Sequence, residues 1–502
     1  MNPSCRFFPP GKITWLMVLL LLWAMAATAP VAQANGKTRL NLYRDRQITS
    51  GYFKEVDVNS PFYLPLVGGP EMGKRTINLP PRAGTFRRWR TFLADSHYGI
   101  RILPKQTCQE CHPQQSRDKH TIRGQITCAQ CHGGGTIAGI NHYYSKMNVN
   151  RRHSAVCAKC HEGASNSYAT FVVHAPSPAA MTTRQSFPML FYAFWVIIAV
   201  AVGTFAVFLP HTLLWGVRDY MTTPRHGPQD RRRIKRFSLP QRLFHFLLML
   251  SFMTLAATGF SRMFIETPWG KFLAYFFGGY QGAIAVHKWV GLFMLALFGV
   301  HLVYVLSKID WRRFPKSLMG PDSLLLQWPD LRLAFQHLGW LFGRSGHPRF
   351  DRWGYWEKFD YWAVLWGTIV LGGTGLVMAY SLSLTSLIPG WTLNVALWLH
   401  RIEAMLAMAH VFIIHFFIAH MRRHTFPMDR AMFEGTVDLD GARHEKPAWI
   451  ARLEQEGTLE ANLAPQTNKK LRLLYYLIGF GAVGFGLFLL IGGIVNSPYI
   501  TW

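Results

Sequence analysis

Six stretches of the 502-residue chain stay apolar over long runs, at 188–215, 239–260, 285–306, 359–380, 395–420 and 472–495. A helix needs about 20 such residues to cross the hydrocarbon core of a bilayer. The pattern therefore predicts an all-α membrane protein with a six-helix transmembrane bundle set in a lipid bilayer. Ahead of the bundle the pattern changes. Residues 35–100 show no helical period, and Pro61, Pro65, Pro70, Pro80 and Pro81 mark them as extended and loop-rich. No role is legible there. Residues 101–187 are also loop-rich, punctuated by Gly133-Gly134-Gly135, Pro176 and Pro178. A shorter apolar run, Ile13 to Ala29, follows the basic residues Arg6 and Lys12 and precedes Ala32-Gln33-Ala34. This order reads as a signal peptide over 1–34, with a mature chain from Asn35, or else as an uncleaved anchor helix.

Charge adds a direction to the bundle. Only 16% of residues are charged, against about 25% in an ordinary soluble chain. There are 53 Lys+Arg against 26 Asp+Glu, a formal net charge of +27. Such an excess can mark nucleic-acid binding, but here its placement follows membrane topology. Arg218, Arg225, Arg231, Arg232, Arg233, Lys235 and Arg236 come directly after the first span, against Asp219 and Asp230. Cytoplasmic loops carry this excess, so the first span runs inward and no nucleic acid is expected as partner. Segments 307–358 and 421–471 are then cytoplasmic, while residues ahead of the first span and Trp502 lie outside.

The seven cysteines set the chemistry. Cys5 stands alone near the N-terminus. The other six form three C-x-x-C-H units, Cys108–Cys111–His112, Cys128–Cys131–His132 and Cys157–Cys160–His161. Two thiols at this spacing can each form a thioether to a haem vinyl group, and the adjacent histidine then reaches the iron. A zinc site or disulfide scaffold would not place a histidine after every pair. The expectation is three covalent haems c. Attachment of this kind takes place outside the cytoplasmic membrane, which agrees with the charge argument and with an export signal. The haem propionates would also neutralise part of the positive excess. Distal ligands have several candidates. His120, His142 and His174 stand at convenient loop distances, His97 is close behind, and His153 lies inconveniently close before Cys157. Met147 and Met181 are the competing ligands.

Ionisable residues inside spans are functional candidates by default. The third span carries His287 and His301, and the fifth His400 and His415. Within each span the two histidines are about four helical turns apart, which returns them to nearly the same helix face, about 21–22 Å apart along the axis. Two helices with this pattern can clamp two non-covalent haems b, one near each membrane surface. Gly291 and Gly299 would let a porphyrin approach closely. His245 and His420 are further histidines near the same end, a third b haem is a remaining use for the surplus, and His410 faces away. A weak internal echo accompanies the histidines: Leu255-Ala256-Ala257-Thr258-Gly259 matches Leu371-Gly372-Gly373-Thr374-Gly375. Glu403, one turn beyond His400, is a costly carboxylate within a span. It either handles a proton at a quinone site or pairs with Arg401 or Lys288.

Residues 236–425 resemble the di-haem cytochrome b subunits of respiratory formate dehydrogenases, hydrogenases and thiosulfate reductases. The carrying segments are Gln241-Arg242-Leu243-Phe244-His245, Thr258-Gly259, His287-Lys288-Trp289-Val290-Gly291, Trp356-Glu357-Lys358-Phe359-Asp360-Tyr361-Trp362, Thr374-Gly375, His400 and His415. His400 to Ala404 and Phe426 to Asp429 resemble b domains fused to multihaem cytochromes c. The resemblance implies that one haem takes His287 and His400, and the cytoplasmic-side haem His245 and His415. Helix spacing alone would use His301 in place of His245. It also implies a quinone near the cytoplasmic-side haem, whereas Glu403 stands near the other.

The expected organisation is thus a signal peptide over 1–34, a segment of unread role over 35–100, a three-haem cytochrome c domain over 101–187, and an anchor helix over 188–216. A di-haem cytochrome b domain over 236–425, a cytoplasmic segment over 426–471 and a last transmembrane helix over 472–502 follow. The expected function is electron transfer in a bacterial cytoplasmic membrane, most simply quinol oxidation, between the quinone pool and a periplasmic cytochrome or oxidoreductase subunit. The reverse direction, as the membrane anchor of a periplasmic oxidoreductase, is the nearest alternative. A haem sensor or a structural anchor without turnover belongs to a different class, and no kinase, cyclase or helix-turn-helix segment accompanies it.

Overall fold

A computed structural model describes residue 97 and, with short gaps, residues 107–499. The expected signal peptide, Cys5, nearly all of 35–100, Arg225, Asp230 and Arg231 lie outside the described residues. The chain forms two compact units; the described residues up to 192 and 376–397 make one, and 193–375 with 398 onward make the other.

The first unit holds the cysteine motifs on short helical turns. Cys108–Cys111 (α1), Lys119–Ile122 (α2) and Cys128–His132 (α3) are separated by loops. Further along, a polar network ties this segment to the link between the fourth and fifth spans. Ser165 Oγ donates to Thr385 O (3.1 Å) and Ser167 Oγ to Ile388 O (3.0 Å). Asn394 is buried and pairs with the Val172 backbone in both directions, accepting from its N–H at 3.1 Å and donating to its carbonyl at 2.8 Å. Gly390 donates its N–H to Ser167 O at 2.9 Å. A side chain at Gly390 would collide with the backbone of Ser167 and Tyr168, so the close approach needs glycine. Sequence patterning gave no sign of this anchorage, because its two sides are far apart along the chain and neither has a period that points to the other.

The second unit is mostly helical. Among the described residues, six helices are long and apolar enough to cross a membrane. They are Pro188–Thr222 (α4), Leu239–Met263 (α5), Gly279–Ser307, Tyr355–Ala379, Thr392–Met421 and Lys469–Tyr499. The short helix Pro268–Tyr275 (α6) precedes Gly279–Ser307 (α7), and Trp328–Leu341 (α8) precedes Tyr355–Ala379 (α9). Thr392–Ala409 (α10) continues through π-helical turns at His410–His415 and Phe417–Met421. Several helices outrun the apolar windows. The first runs on to Thr222, the third begins at Gly279 and the fourth at Tyr355, because backbone hydrogen bonding continues where the side chains turn polar or aromatic. The core of the bundle gathers Met253, Ala257, Phe260, Met408, Phe412 and Leu489.

Beyond the spans, residues expected only as a cytoplasmic segment have a fold of their own. Arg233–Lys235 (β1) lies between Thr436–Asp438 (β2) and Leu463–Ala464 (β3), antiparallel to both. Leu439–Glu445 (α11) and Pro447–Gln455 (α12) cover it. Ile234, Leu439, Trp449 and Ile450 are buried between them. Lys469–Asn496 (α13) follows as the last span.

Candidate haem centres

Each of the first two cysteine motifs is a single helical turn with a capping box. In α1 Thr107 and Glu110 close the N-terminus; in α3 Thr127 and Gln130 do the same. Such boxes satisfy backbone donors that a helix start would otherwise leave open. A turn places residues three apart on one face, so Cys108 with Cys111, and Cys128 with Cys131, present neighbouring thiols. In the third motif Cys157 closes a π-helical turn and Cys160 ends a short helix. Each motif histidine then falls at or just past the end of its turn.

Among the described residues, five imidazole pairs that join expected ligands stand at nearly one separation; His337 and His347 stand 6.1 Å apart outside that set. Ring centroids are 6.2 Å apart for His97 and His112, 6.5 Å for His132 and His174, and 6.1 Å for His120 and His161. In the bundle they are 6.2 Å for His287 and His400 and 6.4 Å for His245 and His415. An imidazole nitrogen bound about 2 Å from a metal puts its ring centroid about 3.2 Å away, so two axial imidazoles on one iron stand roughly 6.4 Å apart. All five pairs fit bis-imidazole ligation of an iron between them. Burial holds the His132 and His161 imidazoles below their ordinary pKa, each further lowered by its facing histidine. They are therefore neutral at pH 7, the form that ligates a metal. Burial also pushes the Cys131 thiol up to about 11.

The pairing departs from the sequence expectation at His142, and between the two alternatives for the second bundle pair it follows the resemblance, not helix spacing. His142 ranked ahead of His97 as a distal partner, yet His97 faces His112, while the His142 backbone is taken up in a turn with Gly139 and Ser145. Loop path, not distance along the chain, decides this: His120 precedes the second motif but faces the third. His301 does not face His415. It stacks on Phe244 at 4.4 Å and its Nε2 lies 3.1 Å from the Tyr361 hydroxyl. His245 has the facing position instead. His153 is engaged with Ala164 O at 2.7 Å.

Behind the rings stand the groups that aim them. The Thr258 hydroxyl lies 2.8 Å from His287 Nδ1, and the Thr374 hydroxyl 3.0 Å from His400 Nδ1. Each hydroxyl donates its proton to a carbonyl of its own helix, Thr254 O at 2.7 Å and Val370 O at 2.5 Å. Each therefore accepts from the ring N–H, which turns Nε2 toward the facing histidine. The adjacent glycines lie against the rings, in a position where a Cβ would make ordinary contact. A Cβ at Gly259 would lie 3.6 Å from His287 Cε1, and one at Gly375 3.5 Å from His400 Cε1. The Thr-Gly echo in the sequence is thus a repeated seat for an imidazole from the next span. Gly299, expected to admit a porphyrin, is exposed, and a Cβ there would meet no atom within 4 Å, so nothing around it marks a slot.

Two acidic residues that the sequence did not single out as site residues serve other rings. Asp118 caps α2 through the His120 and Thr121 N–H groups, and its carboxylate lies 3.8 Å from His120 Nδ1 and 3.5 Å from His174 Nδ1. Asp360 accepts from His410 Nε2 at 2.9 Å and His415 Nδ1 at 3.2 Å. Asp360 stands about four helical turns before Thr374, the same return to one face that links the span histidines, and this was the available signal. Glu403 is buried at 3% exposure, and Trp366 Nε1 donates to it at 3.3 Å. Among the described residues it has no ion pair; Arg401 lies over the Trp398 ring instead.

Residues 236–435 match the family model described as prokaryotic cytochrome b561. No curated protein matches the chain. The match supports a cytochrome b family and membrane electron transfer through b-type haem, and it covers four spans, three of which supply the histidines of both bundle pairs.

Proposed function

We propose that this chain passes electrons from membrane quinol to a periplasmic redox partner, with three covalent haems c and two non-covalent haems b. What carries this reading is that the separation falls where three C-x-x-C-H histidines and two pairs of span histidines meet their partners. Bound haem supplies reversible one-electron transfer. The chain's own residues do the holding and aiming. Cys108, Cys111, Cys128, Cys131, Cys157 and Cys160 tether. His112, His132 and His161 ligate from one face, and His97, His174 and His120 from the other. His287 with His400, and His245 with His415, clamp the two membrane haems. Thr258 and Thr374 fix the tautomer of their histidines.

In this reading the cysteine motifs face the periplasm of a bacterial cell, and the basic residues after the first span mark the cytoplasmic side. Glu403 takes a proton from quinol near the haem held by His400. Its burial without a cation supports that role, because a carboxylate in such a place is costly unless it can accept a proton.

The test uses the full-length protein in membranes. Acid-acetone extraction followed by pyridine haemochrome analysis should find three haems that stay with the chain and two that leave it. A soluble quinol analogue should then reduce the retained haems. A retained count other than three, absence of extractable haem, or haems c left oxidised by quinol would overturn the proposal. Glu403→Gln should slow that reduction while leaving both extractable haems in place; an unchanged rate from pH 6 to 9 would make Glu403 structural.

A further inference from the structure

The two bundle pairs share a separation but differ in what stands behind them. Thr258 and Thr374, both neutral hydroxyls, support His287 and His400. His415 instead donates its Nδ1–H to a carboxylate oxygen of Asp360. The other oxygen of Asp360 accepts from His410, whose Nδ1 is buried with no hydrogen-bond partner. The same helix, α9, supplies both backing groups, Asp360 one end and Thr374 the other.

A hydrogen bond to an anionic acceptor is stronger than one to a hydroxyl. It makes the donating imidazole a more basic ligand. A more basic ligand and a nearby negative charge both favour the higher charge state of the iron. We infer that Asp360 is a positioning residue for His415 that sets the haem held by His245 and His415 at a lower midpoint potential than the haem held by His287 and His400. This rests on the proposed bis-histidine haem sites and deepens that reading by giving the membrane relay a direction. With the His245/His415 site toward the cytoplasm, an electron on that haem runs downhill to the haem held by His287 and His400.

The experiment is a redox titration of the purified full-length protein, followed at the b-haem α-band and by low-temperature EPR. Extractable haem is counted first in every variant. The wild type should hold two haems b that titrate in two separate steps. Asp360→Asn keeps the shape and an acceptor oxygen but removes the charge. It should raise the lower step alone, narrow the gap, and shift one low-spin EPR signal. Asp360→Glu restores the charge and should restore the low step. Coincident steps in the wild type would overturn the inference. So would an Asn variant with two haems b and unchanged potentials, or one in which only the upper step moves, or a Glu variant that behaves as Asn. If Asp360→Asn releases its haem, the wild-type gap and the Glu variant still decide the matter. A wild type without two extractable haems would instead overturn the haem sites themselves, and the inference with them.

Discussion

The cysteine-bearing segment and the helical bundle hold imidazole pairs at the same separation by unlike means. In the segment, rings are carried on single helical turns and loops, and the partner of a motif histidine can come from any direction in sequence. His120 faces His161 past the whole of the second motif, while His97 faces His112, the next histidine along the chain. In the bundle, rings are carried by long helices, and each pair joins histidines from two of them. A common separation on such different scaffolds points to a shared requirement at the centre of each pair, not to a shared fold around it. The scaffolds should therefore fail differently when one imidazole is lost.

The largest effect is expected in the bundle. Nothing but the two imidazoles and apolar packing would keep a haem there, so His400→Ala should cut extractable haem from two per chain to one. In the segment, thioethers would keep the porphyrin attached whatever happens on the distal side. His174→Ala should leave three covalent haems and convert one from low spin to high spin, visible by EPR and in the near-infrared charge-transfer bands. His142→Ala should leave those spectra unchanged. Loss of a covalent haem in His174→Ala, or a high-spin signal from His142→Ala, would erase the contrast between the two regions.

What the sequence made legible follows the same division. The six spans were visible because a bilayer demands long apolar runs. The motif cysteines were visible because the C-x-x-C-H spacing is local and repeats three times. His287 and His400 were reachable from helical arithmetic and from the resemblance. Distal partners in the segment were not, since His97 and His142 differ only in the path of loops between them. The sheet of β1, β2 and β3 escaped notice because its strands are very short and β1 pairs with segments from the far side of the bundle sequence. His245 over His301 was implied by the resemblance against helix spacing, and packing agrees with it, since Phe244 and Tyr361 take up the His301 ring. Asp360 was hidden in a Trp-Glu-Lys-Phe-Asp-Tyr-Trp run that reads as the polar start of a helix.

A smaller effect should come from the groups that aim the bundle rings. Thr374→Val keeps the shape but takes away the acceptor for His400 Nδ1–H. A buried donor without a partner costs about 1–3 kcal/mol, so haem retention at that site should weaken by roughly tenfold or more on the usual 1.4 kcal/mol per decade. Thr374→Ser restores the hydroxyl and should recover most of the loss. Haem dissociation to an acceptor apoprotein, followed by absorbance, measures both. If Val and the wild type release haem at one rate, the repeated Thr-Gly seat packs the ring but does not aim it.

The smallest effect separates helical arithmetic from packing. By spacing alone His301 is the natural companion of His287, and a two-helix clamp would use it opposite His415. The structure seats its ring on Phe244 and beside the Tyr361 hydroxyl, with His245 facing His415 instead. His301→Phe keeps an aromatic ring against Phe244 and gives up one hydrogen bond, a loss of about 1 kcal/mol. Both haems b should therefore stay bound, with unchanged potentials and a slight drop in thermal stability. His245→Phe should release one of them. Should the two variants exchange these outcomes, His301 is the ligand, and the bundle pairs its rings by helix register alone.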